Sequence, residues 1–437
     1  MRRAAGFSPR HPTHPEDTPV ITGIGLVTPV GQVLDEVFDA MCTGRSGLRC
    51  PPPEHILSGT VDVAGIGPDI DPTSVLPATE ARVVDRYVVM ALRAAADALA
   101  DAGVVVGRDV DPYRIGAIVS GTGGLALLEA QVVLRTKKGR LGVSPYLLPG
   151  MLPNMGAARI AIKHNIRGYT SSIGTACAAG AQSIGEGVRL LRSGEADVVL
   201  CGCSEAPLFP TLADTFGNAR ALARGWADPT QASRPFDKRR NGLVLSEGAG
   251  VFVLERASHA AARGATAYAE VLGWGATTDA HHPTTPRPDG EAAAECMRRA
   301  LADAGLSGSD VGYLNAHGTS TKLGDAAEAL AIRTVFGARQ PAVSSTKGVT
   351  GHMLGASGVI EAAVTVLAMN RGVLPPTHNL DDPDPACDLD HIRSKPRTAT
   401  VDVGLSNSFG FGGHNVSLVF GKPRAARSRG NGEEGWQ

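Results

Sequence analysis

Apolar residues fall along the chain in short runs alternating with longer amphipathic stretches. PVITGIG (19–25) and RIGAIVSG (114–121) are continuous apolar runs of strand length, and between them the 3.6-residue periodicity from about Glu80 to Ala102 predicts a helix that Gly103 ends. IRGYTSSIG (166–174) leads into a glycine- and alanine-rich helix at Cys177, ADVVLCG (196–202) is a further strand, and GAGVFVLER (248–256) closes a first half. AYAEVLGWGATTD (267–279) opens a second half. It continues with a helix near 290–304, a strand at GYLNAHG (312–318), a helix from about Gly324, a strand near AVSST (342–346), a helix at His352 and the strands VDVGLSNS and HNVSLVFG. Alternating strands and helices in two similar halves predict an α/β fold with sheets covered by helices on both sides. The halves, 18–256 and 257–421, meet at AAARGA (260–265), too short and apolar for a free linker, so they form one domain. The ends, 1–17 and 422–437, are polar, rich in Pro, Arg or Gly and without periodicity, and are expected to be flexible tails.

The two halves repeat one another in detail. TACAAGAQSIGEG (175–187) aligns without a gap on TGHMLGASGVIEA (350–362), matching Thr, Gly, Ala and Glu at 175/350, 180/355, 181/356 and 186/361. His352 stands where the first copy has Cys177. A thiol at one helix start and an imidazole at the equivalent one point to a paired catalytic centre.

Composition narrows the class. A net charge of −1 carries no basic excess for nucleic acid, and no run of 18 apolar residues suggests a membrane span. The seven cysteines have no paired metal-ligand spacing, so no metal site is expected, and an odd count without a signal peptide favours a reducing cytoplasm.

At a helix N-terminus, a cysteine meets the positive end of the helix dipole and unpaired N–H groups, which favour thiolate over thiol. His317 and His352 both fall at strand-to-helix turns, where they can converge with Cys177 at the end of a sheet. Lys347 and Glu328 make a candidate ion pair to orient the histidines. Taken singly, the cysteine fits a small packing residue and each histidine a hydrogen-bonded structural one; the joint arrangement fits catalysis better. SNSFGFGGHN (406–415) supplies glycines around Phe409 and Phe411 that let backbone approach a ligand, or simply form a turn. It lacks the strand–GxGxxG–helix context of a dinucleotide site.

Together TACAAG, ASRPFDKRRNGLVLSEGAG (232–250), NAHGTSTKLGD (315–325), SSTKGVTGHMLGASG (344–358) and NSFGFGGHN (407–415) resemble the β-ketoacyl synthases of the elongating type, in order, from about residue 19 to 420. The resemblance implies a thiolase fold, a five-layered αβαβα duplication that dimerises. It also implies transfer of an acyl chain from an acyl carrier protein to Cys177, then condensation with malonyl-carrier protein after decarboxylation. In that reading no cofactor is needed beyond the carrier's phosphopantetheine. His317 and His352 donate hydrogen bonds to the malonyl thioester carbonyl as neutral imidazoles, and the N–H groups of Cys177 and Phe411 form the oxyanion hole. Phe411 is also a gate between half-reactions, Lys347 and Glu328 are a supporting pair, and Asp325 is a structural acid. Phe216 and Phe409 are placed like acyl-pocket residues. Arg220 matches a position at the entrance where an acidic carrier protein docks, and Arg135, Lys137, Lys138 and Arg140 form a second basic cluster, which also fits an ordinary solvated face.

Departures from the family leave the substrate open: a short GTGGL (121–125), RNGL for the commoner RDGF, and His414 for a common threonine. Fatty acid elongation and a discrete polyketide or polyene pathway both fit, with a homodimer or a heterodimer with a chain-length-factor subunit. Two other readings are a thiolase-like acyltransferase, which would use Cys-His-Cys, and a non-catalytic partner subunit, which would lack Cys177.

Overall fold

The computed structural model describes residues 18–423, so the expected 1–17 tail and all but the first two residues of the 422–437 tail lie outside the described residues. The first half runs β1 (Pro19–Val27), α1 (Arg86–Ala102), β2 (Ile115–Ser120), α2 (Met155–His164), β3 (Thr170–Ser171), α3 (Ala179–Ser193), β4 (Val198–Glu205) and β5 (Gly248–Arg256). The second repeats that order: β6 (Ala269–Thr278), α4 (Glu291–Ala304), β7 (Tyr313–Asn315), α5 (Lys322–Phe336), β8 (Ala342–Ser344), α6 (Ala356–Arg371), β9 (Val403–Gly410) and β10 (His414–Gly421).

Strand order repeats as well, β3-β2-β4-β5-β1 in one half and β8-β7-β9-β10-β6 in the other. In each, the three strands at the outer end are parallel, and the last two added are antiparallel. The halves join edge to edge into one ten-stranded sheet through two residue pairs of β1 and β6, Val20 with Glu270 and Ile21 with Ala269. Helices α3 and α6 pack on each other and on strands of the sheet, α1 and α2 cover the first half, and α4 lies on β6 and β10 beside α5. This is the expected five-layer order, with the two sheets continuous at one edge.

Burial follows from these layers. β1 and β4 are buried at every position because helices cover both faces, which explains their unbroken apolar runs. α6 is buried from Ala356 to Met369. A glycine pair recurs where each outer helix crosses its strand. A Cβ on Gly23 or Gly25 would come within 2.2 Å of the carbonyls of Ala98 or Ala94 on α1, and one on Gly273 or Gly275 within 2.6 Å of those of Ala300 or Cys296 on α4.

Some boundaries differ from the periodicity. The helix expected from Glu80 begins at Arg86, because the Asp85 carboxylate caps it by accepting from Tyr87 N at 3.2 Å and also accepts from Leu127 N at 3.0 Å. Residues Ala78–Ala81 form a separate turn. Gly103 ends α1 in the left-handed conformation, as expected. The strand expected over 312–318 is paired only from Tyr313 to Asn315, where its chain leaves the sheet toward His317.

Candidate active site

The repeat places the two chemically distinct turns side by side. Thr175–Ala178 leads into α3 through Ala176, whose φ of +48° is left-handed, an uncommon conformation for a residue with a Cβ. At the equivalent position before His352, Gly351 has φ of +67°. Each copy thus delivers its reactive side chain from the same kind of tight turn. The helices approach so closely that a Cβ on Gly180 would lie 2.4 Å from the carbonyl of Gly355.

As a result His352 Nε2 lies 3.1 Å from Cys177 Sγ, although the two are 175 residues apart. His352 Nδ1 is 3.3 Å from Ser357 Oγ, which also accepts from Met353 N at 2.9 Å. The rings of His317 and His352 meet edge to face, with centroids 5.3 Å apart. Cys177, His317 and His352 are therefore one buried constellation at the ends of β-strands from both halves.

The supporting ion pair is different from the expected one. Lys347 pairs with Glu361, on the helix after His352, and donates to the carbonyl of His317 at 2.6 Å. Glu328 instead accepts from the backbone N–H groups of His317 and Gly318 at 2.8 and 2.7 Å, and from Asn407 Nδ2 at 3.3 Å. Both still hold His317, Lys347 by its carbonyl and Glu328 by its N–H. The expectation failed because α6 brings Glu361 to the lysine, while the turn after β7 folds back over Glu328. Asp325 accepts from Ser320 N at 3.1 Å and Phe236 N at 2.8 Å and lies 3.4 Å from Arg240 Nε, which ties the 232–250 segment to the site.

Electrostatics corrects a second expectation. Burial, followed by the charge of Glu205, pushes the Cys177 thiol up to about 12. Lys347 and the N–H groups of Phe411 and of Cys177 itself pull it down, but less than burial raises it. The helix start therefore does not leave a resting thiolate; its N–H groups and the adjacent His352 are what make the sulfur reactive. Burial and the charge of Lys347 hold both His317 and His352 well below the ordinary imidazole value, so both are neutral near pH 7. Burial pushes Glu328 and Glu361 up to about 7.

The glycine-rich segment is a hairpin turn between β9 and β10, with Gly412 and Gly413 left-handed. Its Gly410 passes so near the nucleophile turn that a Cβ there would lie 3.0 Å from Cys177 N. This puts Phe411 N–H beside the sulfur while its ring, 41% exposed, stacks on Phe216 at 5.9 Å. Phe216 belongs to an apolar cluster with Cys177, Leu208, Leu222, Leu243 and Leu354. Phe409 lies elsewhere, against His317 at 5.8 Å and the core of the second half.

Arg220 is exposed just beyond the helix Pro210–Asn218 that carries Phe216. Arg135, Lys137, Lys138 and Arg140 are exposed at the end of the helix Leu125–Lys138. Glu129 on that helix accepts from Thr211 N at 3.3 Å, so the elements bearing the two basic groups touch. Glu361, Ser357, Asn407 and Glu205 are site residues that the sequence did not single out. Glu361 had a signal, as one of the four positions matched across the repeat, and Ser357 and Asn407 lie inside two of the motifs that carry the resemblance; Glu205 had none.

Comparison with known proteins agrees with this geometry. The family model "Beta-ketoacyl synthase, N-terminal domain" matches residues 18–260, and "Beta-ketoacyl synthase, C-terminal domain" matches 268–381. The chain is 43% identical over 406 residues to 3-oxoacyl-[acyl-carrier-protein] synthase 2 of Synechocystis sp., covering 92% of this chain and 97% of that one. Among solved structures, a type II polyketide ketosynthase bound to a hexaketide and in complex with its acyl-carrier protein superposes with a TM-score of 0.86 at 31% identity, covering 93% of this chain and 100% of that one. The ishigamide ketosynthase/chain length factor gives 0.86 at 32% identity, covering 93% and 99%.

Proposed function

The chain belongs to the β-ketoacyl synthase family, and from that premise we propose that it condenses an acyl group held on Cys177 with a malonyl group delivered by acyl carrier protein. The reading rests above all on the 3.1 Å contact between Cys177 Sγ and His352 Nε2, with His317 facing it.

In the first half-reaction Cys177 gives its proton to His352 and attacks the thioester carbonyl of the acyl donor. The N–H groups of Cys177 and Phe411 stabilise the resulting oxyanion, and the carrier thiol leaves with the proton. In the second, the malonyl thioester carbonyl lies against His317 and His352. As carbon dioxide departs, the electron pair moves onto that oxygen, and the neutral imidazoles donate to it, His352 as the tautomer that carries its proton on Nε2, reached by exchange after the carrier thiol has left. Neutrality matters, because a protonated imidazole would pair with the malonyl carboxylate and stabilise the charge that has to leave it. The enolate carbon then attacks the acyl carbonyl on Cys177, the sulfur leaves as a thiolate and takes a proton from water, and a 3-oxoacyl thioester remains on the carrier. Glu328 and Lys347 fix the backbone on either side of His317.

Cys177 sets the chain apart from a partner subunit lacking a nucleophile, and Cys-His-His from a thiolase-like transferase. Fatty acid elongation and type II polyketide assembly both remain within this chemistry. The carrier protein docks on the side bearing Arg220, with Arg135, Lys137, Lys138 and Arg140 extending the positive field. A second ketosynthase-like chain, identical or of chain-length-factor type, covers the exposed apolar residues Leu128, Val132, Val133, Leu141 and Leu148 and the outer edge of β3. The matching edge of β8 is already bridged, through Val343 and His391, by this chain itself. The seven free cysteines fit a cytoplasmic setting, and no helix among the described residues is long and apolar enough to cross a membrane.

Incubating the protein with acyl-carrier and malonyl-carrier protein and following both by mass spectrometry tests the reading. Acyl mass on the Cys177 peptide, then loss of carbon dioxide and a 3-oxoacyl carrier product, is expected. Product formed without an acylated Cys177 would overturn it, and native mass spectrometry of the same sample reads the subunit pairing.

A further inference from the structure

A buried carboxylate that the proposed mechanism does not use lies beneath the nucleophile. Glu205 is the last residue of β4 and only 3% exposed. Its Oε2 accepts from Thr122 N at 3.1 Å, in the GTGGL loop that leads into the helix Leu125–Lys138. Its other oxygen faces Gly355, whose backbone N–H favours the ionised carboxylate. A Cβ built on Gly355 would come 3.0 Å from Glu205 Oε1, 2.8 Å from Cys203 Sγ and 3.1 Å from the carbonyl of Ala176, the left-handed residue before Cys177. Glu205 therefore touches the start of the helix after His352, borders the Cys177 turn and holds the loop at Thr122.

We propose that Glu205 is a positioning residue for Cys177: it ties the Thr122 loop to the turns bearing Cys177 and His352 and sets a carboxylate against the nucleophile turn. The proposal rests on Cys177 being the nucleophile. The ionisable groups that face Glu205 are Cys177, Cys203 on its own strand and Tyr87 on α1, and its charge raises all three. Lys347 opposes it at Cys177. Burial pushes Glu205 itself up to about 7, so it changes charge in the neutral range while the histidines stay neutral. An ionised Glu205 repels a negative sulfur. Once Cys177 carries an acyl group the sulfur is neutral, and that repulsion is gone until the sulfur is expelled in the condensation.

The test reads the rate of Cys177 alkylation by iodoacetamide against pH, quantified on the Cys177 peptide, so that it does not depend on condensation. Glu205→Gln keeps the shape and removes the charge, and Glu205→Asp keeps the charge and withdraws it by one methylene. E205Q should alkylate roughly three- to tenfold faster than the parent at about pH 8, in line with a thiol shifted down by up to one unit. E205D should retain the parent's pH profile. A folded E205Q whose profile superimposes on the parent overturns the proposal, as does an E205D that behaves like E205Q. If neither variant folds, the unmodified protein decides. Coupling to a carboxyl that ionises near neutrality flattens its rate–pH slope between about pH 6 and 8, whereas an unbroken tenfold rise per pH unit would overturn the proposal. Failure of Cys177 to be alkylated at all, with activity intact, would instead count against the assignment of the nucleophile.

Discussion

Lys347 grips the backbone of His317, its Nζ donating to the histidine carbonyl at 2.6 Å, while Glu361 answers its charge. The lysine thus sets both the position of the imidazole and its protonation, since its charge is the largest influence after burial holding His317 and His352 neutral. Lys347→Met should raise both imidazoles. The charged form then appears at higher pH, so the acid limb of malonyl decarboxylation should move up in pH, while the parent stays flat well below the ordinary imidazole value of about 6.5. Removing one partner of a buried pair should also cost about 3–5 kcal/mol of stability. Adding Glu361→Gln should recover part of that loss, measured by denaturant unfolding of the single and double variants. An unmoved pH profile would leave Lys347 with a packing role only.

How much of this was legible in the sequence depends on whether the determinant was local. Cys177 and His352 could be paired because the repeat places them in the same turn of two equivalent units. The two glycine-bearing strands, β1 and β6, follow from the same duplication. Lys347–Glu361 was not legible as a pair, because Glu361 appeared only as a repeat match, and which carboxylate reaches a buried ammonium is decided by helix packing. The state of Cys177 was misread for a related reason. A helix start is visible in sequence, but the desolvation that outweighs it comes from residues distant in sequence, among them Ile66, Leu208, Phe216, Leu243 and Leu354. Glu205 gave no signal, since a strand-ending glutamate looks like any solvated one.

Accessibility changes what thiol labelling will show. Cys50 is exposed and Cys42 half-buried, whereas Cys177 is 8% exposed. Iodoacetamide should therefore label Cys50 readily, but loss of condensation should track modification of Cys177 alone. In a Cys50→Ser background the Cys177 peptide should carry the label that correlates with inactivation, and Cys177→Ser should abolish condensation. Inactivation that follows Cys42 or Cys50 modification would contradict the assignment.

The two histidines should separate from the cysteine in kinetics. His317 makes no contact with the sulfur comparable to that of His352, so His317→Ala should leave acylation of Cys177 largely intact. Decarboxylation should fall by roughly two orders of magnitude or more, as expected for lost stabilisation of developing charge. His352→Ala should slow both steps, because Nε2 also takes the thiol proton at 3.1 Å. Single-turnover acylation measured beside carbon dioxide release distinguishes them; equal effects on both steps from His317→Ala would count against the division of labour.

Carrier docking makes a prediction about salt. Arg220 is exposed and near the Phe216 helix, so Arg220→Glu should raise KM for carrier-bound substrates and reduce the dependence of rate on ionic strength. Small thioester mimics should react almost as before. Parallel losses on both substrate types would point to damage in the pocket.

Phe411 combines two features that a core aromatic would not have. Its N–H serves the sulfur of Cys177, yet its ring is 41% exposed and stacks on Phe216 in the apolar cluster that contains the nucleophile. The left-handed Gly412 and Gly413 that follow leave the backbone free to rotate the ring off Phe216. Stacked on Phe216, the ring must move when an acyl chain fills the cluster. Phe411→Ala should therefore allow malonyl decarboxylation without an acyl primer. A fully buried phenylalanine would cost about 3–5 kcal/mol on truncation; this exposed ring should cost clearly less, so the melting temperature should change little. Primer-independent decarboxylation measured beside the melting temperature decides the matter: a large loss of stability with the two half-reactions still coupled would show that the ring is packing and not a gate.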